Sequence, residues 1–407
     1  MRTSLSRVLL FTGKGGVGKT SVAAATAVRA AGRGARVLVT STDAAHSLAD
    51  ALGRPLGDDP TEVHVGGGQL FAQQIDAQAR LERHWREIRD YLVALLAWGG
   101  AGNVEAEELL LLPGLDELFA LIDLNAQVAR GGYDLIVVDC APTAETLRLL
   151  SLPEALRWYV DRMLAPSRRM ARAVRPLTRG LGVAGEALPL PDDEVFGAVE
   201  RVHGDLADVH ALLRDPTRSS VRLVVNAERL VVAETQRMAT SLSLFGYGVD
   251  AVAVNRLLPD EVTDPYLADH KRRQAEHLAD VHAAFGPTPV LTAPLLPDEV
   301  VGTDALADLA AALYGEVDER AVLHLDRPVR VVEDGEDRLL QVDLPFTGRD
   351  EVDLNRRGAE LHLRVGGVRR TVVLPGALAR FDVGRARFTD GVLEIRFVPV
   401  SAPAGAP

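Results

Sequence analysis

Arg7-Val-Leu-Leu-Phe-Thr-Gly-Lys-Gly-Gly-Val-Gly-Lys-Thr-Ser21 is the stretch that decides the architecture. Arg7 to Thr12 is an apolar run of strand length, glycines crowd the next six residues, and Ser21 to Ala31 (SVAAATAVRAA) is a helix former ended by Gly32. Arg36 to Ser41 (RVLVTS) reads as the next strand, so the segment is predicted to be a βαβ unit. Gly13-x4-Gly18-Lys19-Thr20 is then a P-loop in the context that gives the pattern meaning, with a buried strand before it and a helix after it. Glycines let backbone N–H groups converge on phosphate oxygens, and the helix N-terminus adds its dipole. Lys19 is placed to reach the β/γ phosphates and the Thr20 hydroxyl to ligate Mg²⁺ directly. The expected ligands are ATP and Mg²⁺, cradled by Gly13, Lys14, Gly15, Gly16, Val17, Gly18, Lys19, Thr20 and Ser21.

Further buried strands are expected at Asp134 to Asp139, Val221 to Asn226, Val249 to Asn255 and Pro289 to Leu291, with helical stretches between them. Strands alternating with helices imply an α/β fold with a doubly wound, mostly parallel sheet. Two carboxylates fall at strand ends, the side of an open α/β sheet where ligands bind. Asp43, just past the second strand, is placed to orient an attacking water, and equally to cap a helix over His46 to Leu52. Asp139 ends an apolar strand and fits a carboxylate that meets Mg²⁺ through water.

The intervening helices are longer than crossovers require. Trp85 to Trp98 and Leu109 to Leu124 are apolar, Arg157 to Arg179 is Arg-rich and amphipathic, and Asp193 to Leu213 follows a Gly/Pro-rich break. They define a helical subdomain at about 80–125 and 155–215 within a P-loop domain over 1–315. Beyond Tyr314 the pattern changes to alternation: Gln341 to Leu344, Glu360 to Val365, Arg370 to Leu374 and Val392 to Val398, with a hairpin at Gly366-Gly367. A small C-terminal all-β sandwich over 326–400 and a frayed tail, 401–407, complete the organisation.

Composition narrows function by exclusion. The 407 residues carry 45 Lys plus Arg against 57 Asp plus Glu, and a net charge of −12 argues against a protein that coats nucleic acid. Cys140 is the single cysteine, which rules out intrachain disulfides and cysteine-pair metal sites. The N-terminus lacks a secretory pattern and no run reaches the roughly 18 apolar residues of a membrane span, so a cytoplasmic protein is expected. Lysine occurs only at Lys14, Lys19 and Lys271, every other basic residue being arginine. Two of the three lysines sit in the P-loop, where a compact ammonium is not interchangeable with a guanidinium.

Lys14 has no role in an ordinary P-loop and marks the deviant version of ATPases that dimerise face to face. Together with Ser41-Thr-Asp-Ala-Ala-His-Ser-Leu48, Leu112-Pro-Gly-Leu-Asp-Glu117, Asp139-Cys-Ala-Pro-Thr-Ala-Glu-Thr-Leu-Arg-Leu-Leu-Ser-Leu-Pro153 and the Glu228 to Asn255 stretch, residues 5–315 resemble the arsenical-pump ATPase family. That family includes the eukaryotic ATPase that guides tail-anchored membrane proteins. The resemblance implies a homodimer in which Lys14 reaches the partner's phosphates, Asp43 orients water and Asp139 is the switch II carboxylate. It places Glu228, Asn255 and the loop starting at Pro294 and Leu295 near base and ribose. In the targeting members the long helices form a groove for a client transmembrane helix, and a membrane receptor is a further implied partner. Residues 326–400 resemble the α-crystallin domain of small heat-shock proteins, on Val342-Asp-Leu-Pro345, Arg369-Arg-Thr-Val-Val-Leu-Pro375 and Phe388-Thr-Asp-Gly-Val-Leu-Glu-Ile395.

Four departures from the family pattern stand out. His270 and Arg273 replace the zinc-binding Cys-x-x-Cys, a three-cysteine arsenite site cannot be built on Cys140 alone, Ala44 replaces a proline in switch I, and Ala144-Glu145 replaces Gly-His in switch II. The expected function is a nucleotide-gated targeting factor or chaperone for hydrophobic polypeptide segments. An ATPase energising anion or metalloid export, and a partitioning or positioning ATPase, are the alternatives.

Overall fold

The computed structural model describes residues 6–42, 47–75, 115–141, 193–358, 360–374, 378 and 381–399. Eight strands form one sheet: β1 (Arg7–Thr12), β2 (Arg36–Ser41), β3 (Thr61–Val63), β4 (Gln69–Gln74), β5 (Leu135–Asp139), β6 (Ser219–Asn226), β7 (Val249–Leu257) and β8 (Val290–Pro294). Their order is β3-β4-β2-β5-β1-β6-β7-β8, parallel throughout except for the antiparallel β3–β4 edge. Val8, Leu9, Phe11, Val37, Leu38, Val39, Leu135, Ile136 and Val137 are all fully buried. Continuous apolar runs are what strands covered on both faces require. The seven described helices are α1 (Lys19–Gly32), α2 (Ser47–Leu52), α3 (Leu115–Arg130), α4 (Asp193–Leu213), α5 (Arg229–Phe245), α6 (Pro265–Phe285) and α7 (Thr303–Tyr314).

The chain leaves central β1 for β2 and β4 on one side, returns to β5 beside β1, then builds β6, β7 and β8 on the other. The winding therefore reverses at β1, and the carboxyl ends of β1, β5 and β6 flank the crevice where such sheets bind ligands. In the amino-terminal halves of β6 and β7 lies a buried ionic cluster. Arg222 on β6 and Asp250 on β7, both fully buried, pair at 3.0 Å, and Arg7 reaches the other Asp250 oxygen at 3.1 Å. Arg222 also donates to the Tyr314 hydroxyl at 3.1 Å and to the Glu319 carbonyl at 2.8 Å.

Strands β3 and β4 were not foreseen, because Gln69–Gln74 (QLFAQQ) is too polar for the apolar-run signal. Helix α1 begins at Lys19 and includes Gly32, and the turn that follows is made by Gly34 at φ 92°. Strand β8 extends to Pro294, so that residue closes a strand instead of opening a loop. Of the expected helical subdomain, α3 and α4 are seen, tied by Asn125 donating to Asp205 at 3.2 Å. Trp85 to Trp98, Arg157 to Arg179 and the tail 401–407 lie outside the described residues, as does Asp43.

The C-terminal strands are β9 (Val329–Asp334), β10 (Asp337–Asp343), β11 (Val352–Arg357), β12 (Glu360–Val365), β13 (Val368–Val373), β14 (Phe381–Thr389) and β15 (Val392–Pro399). They make two antiparallel sheets, β14-β15-β10-β9 and β11-β12-β13. Alternating residues of both, Leu340, Val342, Leu361, Leu363, Leu393, Ile395 and Phe397 among them, form the core of a sandwich. Gly366-Gly367 is the expected two-residue hairpin, with Val365 paired to Val368 and Gly366 at φ 54°. Strands β9, β11 and β14 escaped the sequence reading. Each is a sheet edge, and edges carry charges that blunt pairing and erase alternation.

The sandwich rests on the C-terminal half of α5. Ser243 donates to the Asp343 carbonyl at 2.5 Å, Thr240 donates to that of Pro345, and Arg370 donates to that of Leu244. Leu244 itself is fully buried in the sandwich core, and the Phe346 ring packs on Phe285 of α6 with centroids 5.3 Å apart.

Candidate nucleotide site

The loop between β1 and α1 holds its shape through glycines and through bonds to its carbonyls. Gly16 and Gly18 take φ of 83° and 91°, the left-handed region that a Cβ disfavours. A Cβ on Gly18 would stand 2.4 Å from the Asn255 amide nitrogen, and one on Gly13 would stand 2.2 Å from the Val224 carbonyl. Above Gly15 and Gly16, which are exposed, nothing lies within 4 Å of an added Cβ. The loop is thus tightly backed on the strand side and open on the other.

Lys19, 6% exposed, donates to the Lys14 carbonyl at 3.4 Å across the loop. Thr20 donates its hydroxyl to Asp139 Oδ2 at 2.8 Å, and Ser41 at the end of β2 donates to the same oxygen at 3.2 Å. Asp139 is fully buried at the end of β5, and its carbonyl accepts the Thr42 N–H at 3.0 Å. The ends of β2 and β5 and the first turn of α1 therefore converge on one carboxylate and two hydroxyls. These are hard oxygen donors beside an open glycine loop, a set that fits Mg²⁺ carrying phosphates. Half-buried Ser21 follows in the first turn of α1. Cys140, one residue beyond, is buried, and burial pushes its thiol far above the ordinary range, with the Asp139 charge adding to the effect. It is an inert packing residue.

The ends of β6 and β7 supply the other wall. Asn255, 4% exposed, donates its amide to the Val17 carbonyl at 3.0 Å, so it is seen on the phosphate loop; the resemblance places it near the base. Asn226 pairs with Asn255 in register, and its Oδ1 is a buried acceptor with no hydrogen-bond partner, available to an amino group. Glu228 is the exposed N-cap of α5. Pro294 and Leu295 stand at the end of β8, where the Leu295 N–H donates to the Leu257 carbonyl at 2.7 Å. Lys14 pairs with Glu234 of α5 at 3.6 Å, both partly exposed.

The sequence reading missed Arg256, whose guanidinium donates to the Gly16 carbonyl at 2.8 Å, and Gln274, which braces the residues around it. Arg256 adjoins Asn255, the one available signal. Glu234 lay within a quoted stretch but carried no pattern of its own.

Two family models match the sequence: an anion-transporting ATPase over residues 6–315 and an HSP20-like domain found in ArsA over residues 335–397. The chain is similar over 393 residues, 96% of each chain, to a Chlorobaculum tepidum protein whose name includes arsenical pump-driving ATPase, at 37% identity. An Aquifex aeolicus protein with the same words in its name is 32% identical, over 94% of this chain and 97% of that one. The ATPase get3 of Schizosaccharomyces pombe is 28% identical over 77% of this chain and 92% of its own. With a phosphate loop, a Thr–Asp pair and a C-terminal sandwich where those matches fall, the chain belongs to the anion-transporting ATPase family, in the form that carries the HSP20-like domain found in ArsA.

Proposed function

We propose that this chain is a Mg²⁺-dependent ATPase that works as a homodimer and couples nucleotide state to the binding or targeting of hydrophobic polypeptide segments. Residues 1–315 would form the ATPase domain and 326–400 an accessory sandwich. The observation that carries the hydrolytic part is the Thr20–Asp139 hydrogen bond of 2.8 Å beneath the open glycine loop. Thr20 would hold Mg²⁺ directly and Asp139 through water. The ion supplies charge neutralisation between phosphate oxygens. Lys19 and the loop N–H groups would bind the phosphates, and Asp43 would orient the attacking water.

Dimerisation is supported by large apolar side chains exposed beyond the carboxyl ends of strands. Leu230 at 73%, Tyr266 at 89% and Leu295 at 45% follow the carboxyl ends of β6, β7 and β8, and a face-to-face partner would cover them. Lys14, 38% exposed, would enter the partner's site in that arrangement. Among the described residues no helix is long and apolar enough to cross a membrane. The client part rests on the family resemblance and on the HSP20-like sandwich, whose relatives handle exposed apolar surface. Export of an anion or metalloid is the second reading, favoured by the family description and the names of relatives. Against a thiolate metalloid site stands the single, buried Cys140.

Lys14→Ala should keep nucleotide binding and lose turnover, while Asp43→Asn should accumulate ATP-bound dimers in ultracentrifugation. Wild-type hydrolysis in both variants would overturn the mechanism. Purified protein should also protect a transmembrane-helix peptide from aggregation in a nucleotide-dependent way, and indifference to peptide and nucleotide would remove the client reading.

A further inference from the structure

Strand β7 breaks its own geometry where it reaches the phosphate loop. Its pairing with β8 shifts register between Val254 and Leu257, so Asn255 and Arg256 occupy a bulge. Arg256 takes φ 60°, a left-handed state that a residue with a Cβ adopts only when its surroundings impose it. The imposing group is Gln274 of α6, 8% exposed. Its amide nitrogen donates to the Arg256 carbonyl at 3.2 Å and its amide oxygen accepts the Leu258 N–H at 2.8 Å. Glycine would hold this conformation without strain, yet arginine is present.

The bulge turns both residues onto the loop. Asn255 binds the Val17 carbonyl at 3.0 Å and Arg256 binds the Gly16 carbonyl at 2.8 Å. Every peptide bond here is trans, so each carbonyl points opposite to the N–H of the next residue. Pinning the Gly16 carbonyl therefore directs the Val17 N–H away from Arg256, and pinning the Val17 carbonyl directs the Gly18 N–H away from Asn255. Those N–H groups belong to the set that a phosphate loop must aim at its ligand.

We propose that Arg256 is a positioning residue of the nucleotide site, held in a strained bulge by Gln274 so that its guanidinium presets the phosphate loop before ligand arrives. The inference rests on the nucleotide-site reading above and goes beyond it in assigning this residue. Arg256 acts through the loop and touches no reacting atom.

Arg256→Gly separates this role from a merely structural one, since it relieves the left-handed strain and removes the guanidinium together. In the full chain with Mg²⁺, its affinity for ADP by calorimetry should fall about tenfold, the size expected for one charge-assisted hydrogen bond, while its melting temperature does not fall. KM for ATP should rise with kcat within about twofold. Arg256→Lys, which keeps the charge, should recover part of the affinity. Wild-type ADP affinity in Arg256→Gly, or parallel loss of affinity and melting temperature without recovery in Arg256→Lys, would overturn the assignment. Wild-type protein that binds neither ADP nor ATP would instead bring down the nucleotide-site reading and this inference with it.

Discussion

Gly15 and Gly18 share one loop yet answer to different demands. Gly18 is fixed by its own protein: φ 91° disfavours a Cβ, and Asn255 leaves 2.4 Å for one. Gly18→Ala should cost roughly 1–3 kcal/mol in urea melts and disturb the loop. Gly15 has ordinary φ and open space, so Gly15→Ala should stay within about 0.5 kcal/mol of wild type. Any turnover lost in that variant then reports on what approaches the loop from outside. Asp326 makes a residue-scale prediction in pH. Burial pushes its carboxyl up, against the lowering effect of the Val249 N–H donating at 3.2 Å. A raised folded-state pKa means the native state holds the proton more tightly than the unfolded chain. The corresponding stability is present at low pH and lost as pH rises from about 4 through the raised value. Asp326→Asn keeps an acceptor and removes the charge, so urea midpoints should flatten over that window and rise at neutral pH.

At the scale of elements, β6 and β7 carry different chemistry at their two ends. At the carboxyl end of β7, Asn255 and Arg256 bond to the phosphate loop. The amino-terminal halves of β6 and β7 hold Arg222 and Asp250, both fully buried, with Arg7 as the second cation on Asp250. Burial lowers the Arg7 pKa, and the Asp250 charge opposes that effect. Asp250→Ala would leave the buried Arg222 and the partly buried Arg7 without their carboxylate and should cost about 3–5 kcal/mol in denaturant unfolding. ATP affinity should change little by comparison, because the partners of the pair are Tyr314, Glu319 and Ala321 and not residues of the loop. Helix α5 is similarly two-ended: Glu234 pairs with Lys14 of the phosphate loop, while Thr240, Ser243 and Leu244 carry the sandwich.

For the whole molecule, that docking makes the two β-rich cores adjoin, with Val368 packed against both and Leu244 crossing from one to the other. Leu244 belongs to an ATPase-domain helix by sequence and to the sandwich core by contact. Leu244→Asp buries a charge there and should release the sandwich. Unfolding should then split into two transitions, and trypsin should cut faster at Arg320, between α7 and β9. Arg370→Ala, which loses the bond to the Leu244 carbonyl and the cation over the Phe245 ring, should do the same more weakly. A single unchanged transition in both variants would show that the docking contributes nothing to cohesion.

The parallel strands, the phosphate loop and the Gly366-Gly367 hairpin were legible in the sequence because each writes its requirement locally. Buried strands need unbroken apolar runs, phosphates need glycine N–H groups beside a lysine, and tight turns need residues free to take positive φ. The charged edge strands β9, β11 and β14 and the polar β4 left no such mark, since pairing and not composition makes them strands. Nor could periodicity reveal that Thr20, Ser41 and Asp139 meet, that Gln274 strains Arg256 onto Gly16, or that Leu244 serves a second core. Those facts depend on strand order and helix docking, which bring together groups as far apart in sequence as Gly16 and Arg256, 240 residues from one another. Only the folded chain decides them, because hydrogen bonds and packing act over ångströms and are blind to separation along the sequence.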